Sequence, residues 1–185
     1  AYIKHFSVAF DSFISSYSFS RGKNIYICPL LPEEDFGKSK SSISLLYLVK
    51  SHLGAIQRKY SEFSITYADS PNAVKLDKIR DNYTLCLIDD FIGTGDTVER
   101  ASKYFLDRNI SKNMMTIVSL VSMSSGLDDL NNKGYITYTN ISCEKGITDG
   151  GNETQIELMK NIEESIKVSD NYKFGYKGSE ALVKM

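Results

Sequence analysis

The sequence predicts an α/β fold with a mainly parallel central sheet flanked by helices, and three observations predict it. Short apolar runs alternate along the chain with segments whose apolar residues recur at helical spacing. The central runs "TLCLID" and "MMTIVSLVSM" are almost entirely apolar, as strands buried on both faces are. With 185 residues, 42% hydrophobic and 24% charged, the chain has the composition of a single soluble domain with a real core.

Each element follows in order. Phe6, Phe10, Phe13 and Tyr17 recur at 4-3-4 spacing and predict an amphipathic helix within residues 1–22, ended by "SRGKN". "IYICPL" is a short strand stopped by Pro29 and Pro32, and "LPEEDFGKSKSS" is a polar loop. Leu46, Val49, Leu53, Ile56 and Tyr60 form the stripe of a second helix. "FSITY" reads as a strand and "ADSPNAVKLDKIRDN" as a connection with a helical turn. After the strand "TLCLID", Val98, Ala101 and Phe105 mark a helix starting near Thr97. "MMTIVSLVSM" is a strand, "SGLDDLNNKG" a short helix ended by Gly134, and "YITYTNI" a strand. Ile156, Met159, Ile162 and Ile166 give a last helix, and "EALVK" a final strand.

Charge and composition exclude little but point away from some classes. A net charge of -1 supplies no basic excess for a nucleic-acid or membrane partner, although a local patch leaves a nucleic-acid or nucleotide target open. No apolar run approaches the roughly 20 residues of a membrane helix. Cys28, Cys86 and Cys143 form no CxxC and read as reduced thiols, which places the expected compartment in the cytoplasm. His5 and His52 lack metal-ligand company and read as structural.

The stretch "LCLIDDFIGTGDT" concentrates the chemistry. Asp89 and Asp90 fall at the carboxyl end of a predicted strand, where open α/β sheets bind ligands. Gly93 and Gly95 allow close backbone approach, Thr94 and Thr97 offer hydroxyls, and the following helix presents its N-terminus. Together these parts suit a phosphate. The plainer alternative is a tight turn with Asp96 or Thr97 as N-cap. Carboxylates accept hydrogen bonds from sugar hydroxyls and hold magnesium directly or through water. Successive strand residues face opposite sides, so one aspartate can meet a ligand while the other orients the loop or a metal's waters. Upstream, Lys38, Ser39, Lys40, Ser41 and Ser42 lead into a helix and can take an anion, the plainer alternative being a solvated charged loop. "GKS" is not a P-loop, because Pro32 stands where the upstream glycine is needed. Glu33, Glu34 and Asp35 make that loop acidic on one side, which suits magnesium.

The thirteen residues Leu85 to Thr97 resemble the signature of type I phosphoribosyltransferases. "DDFIGTGDT", "CEKGITD" and "FGYKGSEALV" together look like the phosphoribosyltransferase-like domains of bacterial conflict (anti-phage) systems. The resemblance implies a type I phosphoribosyltransferase-like fold over residues 1–185, with a core at 23–150 and a C-terminal helix and partial hood at 151–185. Proteins resembling this one often continue past "EALV". It implies phosphoribosyl pyrophosphate or a related nucleotide as ligand, with Mg2+. Asp89 and Asp90 would hold the ribose hydroxyls, act as the catalytic pair, and contact the metal through those hydroxyls or water. Gly93, Thr94, Gly95, Asp96 and Thr97 would cradle the 5-phosphate, and Lys38 and Ser39 would meet the diphosphate.

Two features depart from that family. Gly93 stands where purine-salvage members often carry an acid, and it cannot act as a base. The segment holding Lys75, Lys78 and Arg80 is short for a mobile lid. Three readings follow: a phosphoribosyltransferase with an unidentified acceptor, a non-catalytic sensor of a phosphoribosyl nucleotide, and an interaction subunit of a defence complex. In the last, the partner is a second copy or a defence-system protein, and the aromatic first helix is a candidate interface.

Overall fold

The computed structural model describes residues 2–16, 22–175 and 178–180. Its strands are β1 (Asn24–Pro29), β2 (Ser64–Tyr67), β3 (Tyr83–Ile92), β4 (Met115–Met123) and β5 (Thr137–Cys143). Its helices are α1 (Tyr2–Ser16), α2 (Ser41–Ser51), α3 (Leu53–Lys59), α4 (Leu76–Asp81), α5 (Asp96–Leu106), α6 (Ser124–Asn132) and α7 (Glu153–Ser165). Tyr17 and residues 181–184 of the expected last strand lie outside the described residues.

The strands pair in the order β2-β1-β3-β4-β5, and every pairing is parallel. The chain runs from β1 outward to β2, then crosses back to place β3 on the other side of β1. The gap beyond the carboxyl ends of β1 and β3 is therefore the topological switch point, where this architecture opens a ligand crevice.

Alternation along the strands divides the core into two layers. Ile25, Ile27, Cys86 and Ile88 pack with Phe6, Phe10, Leu46 and Val49 of α1 and α2. Tyr26, Cys28, Leu85 and Leu87 pack with Ile79, Val98, Phe105 and Leu130 of α4, α5 and α6. Every residue of β3 from Thr84 to Ile88 is buried, which explains its nearly unbroken apolar run.

The expected first helix forms, but Phe6, Phe10 and Phe13 are all buried against the sheet, so these rings are not an outer interface. Phe10 stacks on Phe6 at 5.3 Å and meets Tyr60 edge-on at 5.2 Å. Replacing Phe10 with alanine empties the centre of this cluster. The expected loss is about 3–5 kcal/mol, read as a Tm lower by roughly 6–20 °C in a thermal unfolding scan.

Three expectations need correction. The single second helix is two, because the chain breaks at His52, just before Gly54. His52 Nδ1 lies 3.0 Å from the Leu48 carbonyl oxygen, and His5 Nδ1 accepts from Asn140 at 2.6 Å. The signature strand does not stop at the aspartates. Asp89 lies opposite Ser119 and Phe91 opposite Val121, so β3 continues to Ile92. The apolar stripe of α7 is only partly covered: Ile156 and Met159 are half-buried, Ile162 and the C-cap Ile166 are exposed, and the buried residue is Glu163, which accepts from the Phe174 N–H at 2.6 Å.

Candidate functional site

Asp89 and Asp90 lie within β3, next in the alternation after the apolar residues Leu85 to Ile88. Asp89 continues the face of Leu85 and Leu87, toward α5; Asp90 continues the face of Cys86 and Ile88, toward α2. Asp89 is only 8% exposed, and its Oδ1 accepts from the Asp90 N–H at 3.0 Å. Burial, and next the Asp90 charge, push the Asp89 carboxyl well above its ordinary value. Among the described residues neither aspartate has an ion-pair partner. An acidic pair beside a crevice with no cation on it suits hydroxyl donors or a metal.

Two cavities meet at this pair. One of about 390 Å³ is walled by Gly93, Thr94, Gly95, Asp96 and Thr97, with Gly175 and Ser179 closing it from the C-terminal segment. The other, about 290 Å³, lies at the switch point between Leu30–Pro32, Lys40–Ser42 and Asp89–Asp90. They share Asp89, Phe91, Thr97 and Arg100, so they form one groove.

A helix N-terminus opens at each end of the groove. The α5 N-cap is Gly95, at φ +89°, and no side chain caps the helix. That replaces the expected Asp96 or Thr97 cap. Asp96 is instead the first helical residue, where its charge complements the dipole. Lys40 is the N-cap of α2 and likewise makes no capping hydrogen bond. The free first-turn N–H groups of both helices are suited to anions. Lys38 and Ser39 are exposed and lie outside the groove wall; it is Lys40, Ser41 and Ser42 from the same loop that line it. Ser42 Oγ donates to the Leu30 carbonyl at 3.2 Å and ties α2 to the end of β1.

The acidic loop is not an open metal site. Its residues Glu33–Asp35 form a 3-10 turn in which each acid has a cation. Glu33 meets Arg108 at 3.4 Å, Glu34 meets Arg100, and Asp35 meets Lys38 and Lys40 at 3.0 Å each. Lys40 and Lys38 hold the Asp35 carboxyl below its ordinary value. Among the described residues no group of three or more His, Cys, Asp or Glu can hold a metal. Two carboxylates without a protein cage fit a magnesium ion that keeps its waters and comes with phosphates.

Arg80 pairs with Asp77 at 2.9 Å and Lys78 covers Tyr83 at 5.3 Å, so both sit at the amino end of β3, far along the strand from the aspartates. Neither cation reaches the carboxyl end of β3, where a lid over the aspartates would have to act. Cys28, Cys86 and Cys143 are free thiols, and burial pushes the first two up, away from reactivity.

Two supporting residues carry no sequence signal of their own. Gly126 in α6 lies so close behind the turn that a Cβ there would stand 2.0 Å from the Gly93 carbonyl oxygen. Glu180 is buried and ties the C-terminal segment to the "CEKGITD" turn: its carboxylate accepts from the N–H groups of Ile147 and Thr148, each at 2.7 Å. Through Glu180 the described end of the second motif is thus tied to "CEKGITD". Glu180→Ala removes three charge-assisted bonds, those from the two N–H groups and one from the Thr148 hydroxyl. It is expected to lower stability by about 2–4 kcal/mol, and to speed proteolysis between residues 144 and 151 under native conditions.

The doubly wound parallel sheet carries paired carboxylates and a glycine turn at its switch point, and comparison with family models assigns this arrangement to a phosphoribosyltransferase-like domain. The family model PRTase-CE matches residues 4–184, and the chain belongs to that family. Among solved structures, it is similar to orotate phosphoribosyltransferase from Aeropyrum pernix, with a TM-score of 0.45, 10% identity, and coverage of 90% of this chain and 75% of that one. It is also similar to the HGPRT-ase from Leishmania tarentolae in complex with GMP, with a TM-score of 0.39, 12% identity, and coverage of 79% and 75%. No curated protein matches the chain. No helix among the described residues is long and apolar enough to cross a membrane.

Proposed function

We propose that the chain binds phosphoribosyl pyrophosphate in this groove and transfers its phosphoribosyl group to an acceptor. The observation that carries this reading is the convergence of two uncapped helix N-termini on one pair of unpaired carboxylates. The ligand has phosphate at both ends and hydroxyls between, which is the order of groups the groove offers.

In this reading Gly93 to Thr97 cradle the 5-phosphate on backbone N–H groups and the Thr94 and Thr97 hydroxyls. Asp89 and Asp90 accept from the ribose hydroxyls. Lys40, Ser41 and Ser42 receive the diphosphate, with Lys38 and Ser39 on its approach. Magnesium, when bound, would neutralise the diphosphate and make it a better leaving group. As the bond to C1 breaks, positive charge grows on the sugar, and the two carboxylates lie where they can stabilise it.

A second reading, a sensor that binds without turnover, is favoured by Gly93, whose position next to Phe91 and Ser179 supplies no base. Calorimetry with phosphoribosyl pyrophosphate and magnesium, followed by a pyrophosphate-release assay with free bases, nucleotides and nucleic acid, separates the two. Release that depends on Asp89 and Asp90 supports transfer. Binding without release supports the sensor, and no binding sinks both. A role in anti-phage defence, with a second copy or a defence protein as partner, extends the proposal. It requires that Asp89→Asn and Asp90→Asn variants lose protection in a phage plating assay.

A further inference from the structure

We propose that Arg100 is an anion-binding residue of the groove, held by Glu34 until a phosphate group of the ligand takes its place. The inference rests on the phosphoribosyl pyrophosphate reading and adds to it a residue and a release step.

Arg100 is the one cation lining both cavities among the described residues. It projects from α5 one turn beyond Gly95–Thr97, beside the wall the two cavities share. Its guanidinium donates to Glu34 on the 3-10 turn that follows β1. The other cation of the groove, Lys40, is held by the neighbouring residue Asp35 at 3.0 Å. Both positive groups that face the groove are therefore occupied by carboxylates of one short turn. Glu33, the third acid, does something different: it meets Arg108, which lines neither cavity and packs over the Tyr104 ring at 3.7 Å.

The Arg100 and Glu34 side chains are 52% and 54% exposed. A pair that open to water is weak, so it can be exchanged. A phosphate offers the guanidinium two oxygens in its own plane and more charge than a carboxylate, which makes it the stronger partner. Among the described residues Glu34 has no further partner, so once released it would swing into solvent. The turn itself stays anchored, because Phe36 packs edge-on against the Tyr104 ring at 5.1 Å. Glu34 thus shields Arg100 in the free protein and competes with anions that bind weakly.

Calorimetric titration of the whole chain with magnesium pyrophosphate and with magnesium phosphoribosyl pyrophosphate tests this, using Arg100→Gln, Glu34→Gln and, as a charge control, Glu33→Gln. Thermal unfolding confirms that each variant is folded. Arg100→Gln is expected to weaken both ligands at least tenfold. Glu34→Gln is expected to tighten them severalfold, and more than Glu33→Gln, which makes the same change in net charge. Arg100→Gln within twofold of the parent overturns the inference, as does equal tightening by the two glutamate variants. If pyrophosphate binds with this pattern while phosphoribosyl pyrophosphate binds no better, the inference stands and the functional reading fails. If the parent binds neither anion, both fail.

Discussion

Asp89→Asn is expected to unfold at a higher temperature than the parent chain at neutral pH and to bind phosphoribosyl pyrophosphate roughly ten- to a hundredfold more weakly. The two effects have one cause. Asp89 is buried next to Asp90 with no cation to balance it, and its carboxyl is held well above its ordinary value of 3.8. In the window between that value and the raised one, the native state binds more protons than the unfolded chain. Stability from this group is fully present below about pH 3.8 and is lost as pH rises through the folded-state value. Asparagine keeps the oxygen that accepts from the Asp90 N–H and removes the buried charge. Relief of about 1–3 kcal/mol, or about 2–12 °C in Tm, is expected at pH 7. The gap should widen with pH and close in acid. The binding loss reflects a charge-assisted hydrogen bond to a ribose hydroxyl, about 1.5–3 kcal/mol. A variant less stable than the parent at pH 7, or a gap that does not change with pH, would contradict the account. Stability here is surrendered for a carboxylate that only a ligand can satisfy, a pattern seen at functional sites.

Gly126→Ala is expected to be the most damaging single methyl in the protein for binding. In a helix interior, alanine for glycine ordinarily gains about 1 kcal/mol. Here the added carbon would lie 2.0 Å from the Gly93 carbonyl oxygen and 3.0 Å from its carbon. Both are backbone atoms of the phosphate turn, so either α6 or the turn must shift. Overpacking of this kind costs about 1–3 kcal/mol, and a displacement of about 1 Å at a binding turn weakens a positioned contact up to about a hundredfold. Thermal unfolding and calorimetry together check it. Unchanged affinity in Gly126→Ala would mean that α6 does not set the position of the turn.

The two expected results mark what the sequence makes legible and what it does not. The sheet was legible because the strands are buried on both faces and read as unbroken apolar runs. One wall of the candidate groove was legible because Asp89 and Gly93 to Thr97, which line it, belong to a single stretch of sequence. Misread positions are those decided by tertiary contact. β3 runs on through Asp89 and Asp90 because β4 offers it partners, a pairing that local apolarity does not reveal. Gly95 caps α5 because its left-handed conformation and the closeness of Leu130 leave room for nothing larger. The acidic turn looked like a metal site because its partners, Arg100 and Arg108, lie more than sixty residues away in sequence. Gly126 and Glu180 act through backbone that is remote in sequence, and neither sits in a pattern that periodicity can register.

In the proposed complex one groove holds a ribose 5-phosphate 1-diphosphate, with its phosphate groups at two helix N-termini and its hydroxyls on Asp89 and Asp90. A crystal structure of the chain soaked with phosphoribosyl pyrophosphate and magnesium tests it most directly. The predicted result is density for the 5-phosphate on the N–H groups of Gly93 to Thr97, ribose hydroxyls within hydrogen-bond distance of both carboxylates, and the diphosphate beside Lys40 to Ser42. An empty groove at saturating ligand, or phosphate bound away from the turn, would contradict it.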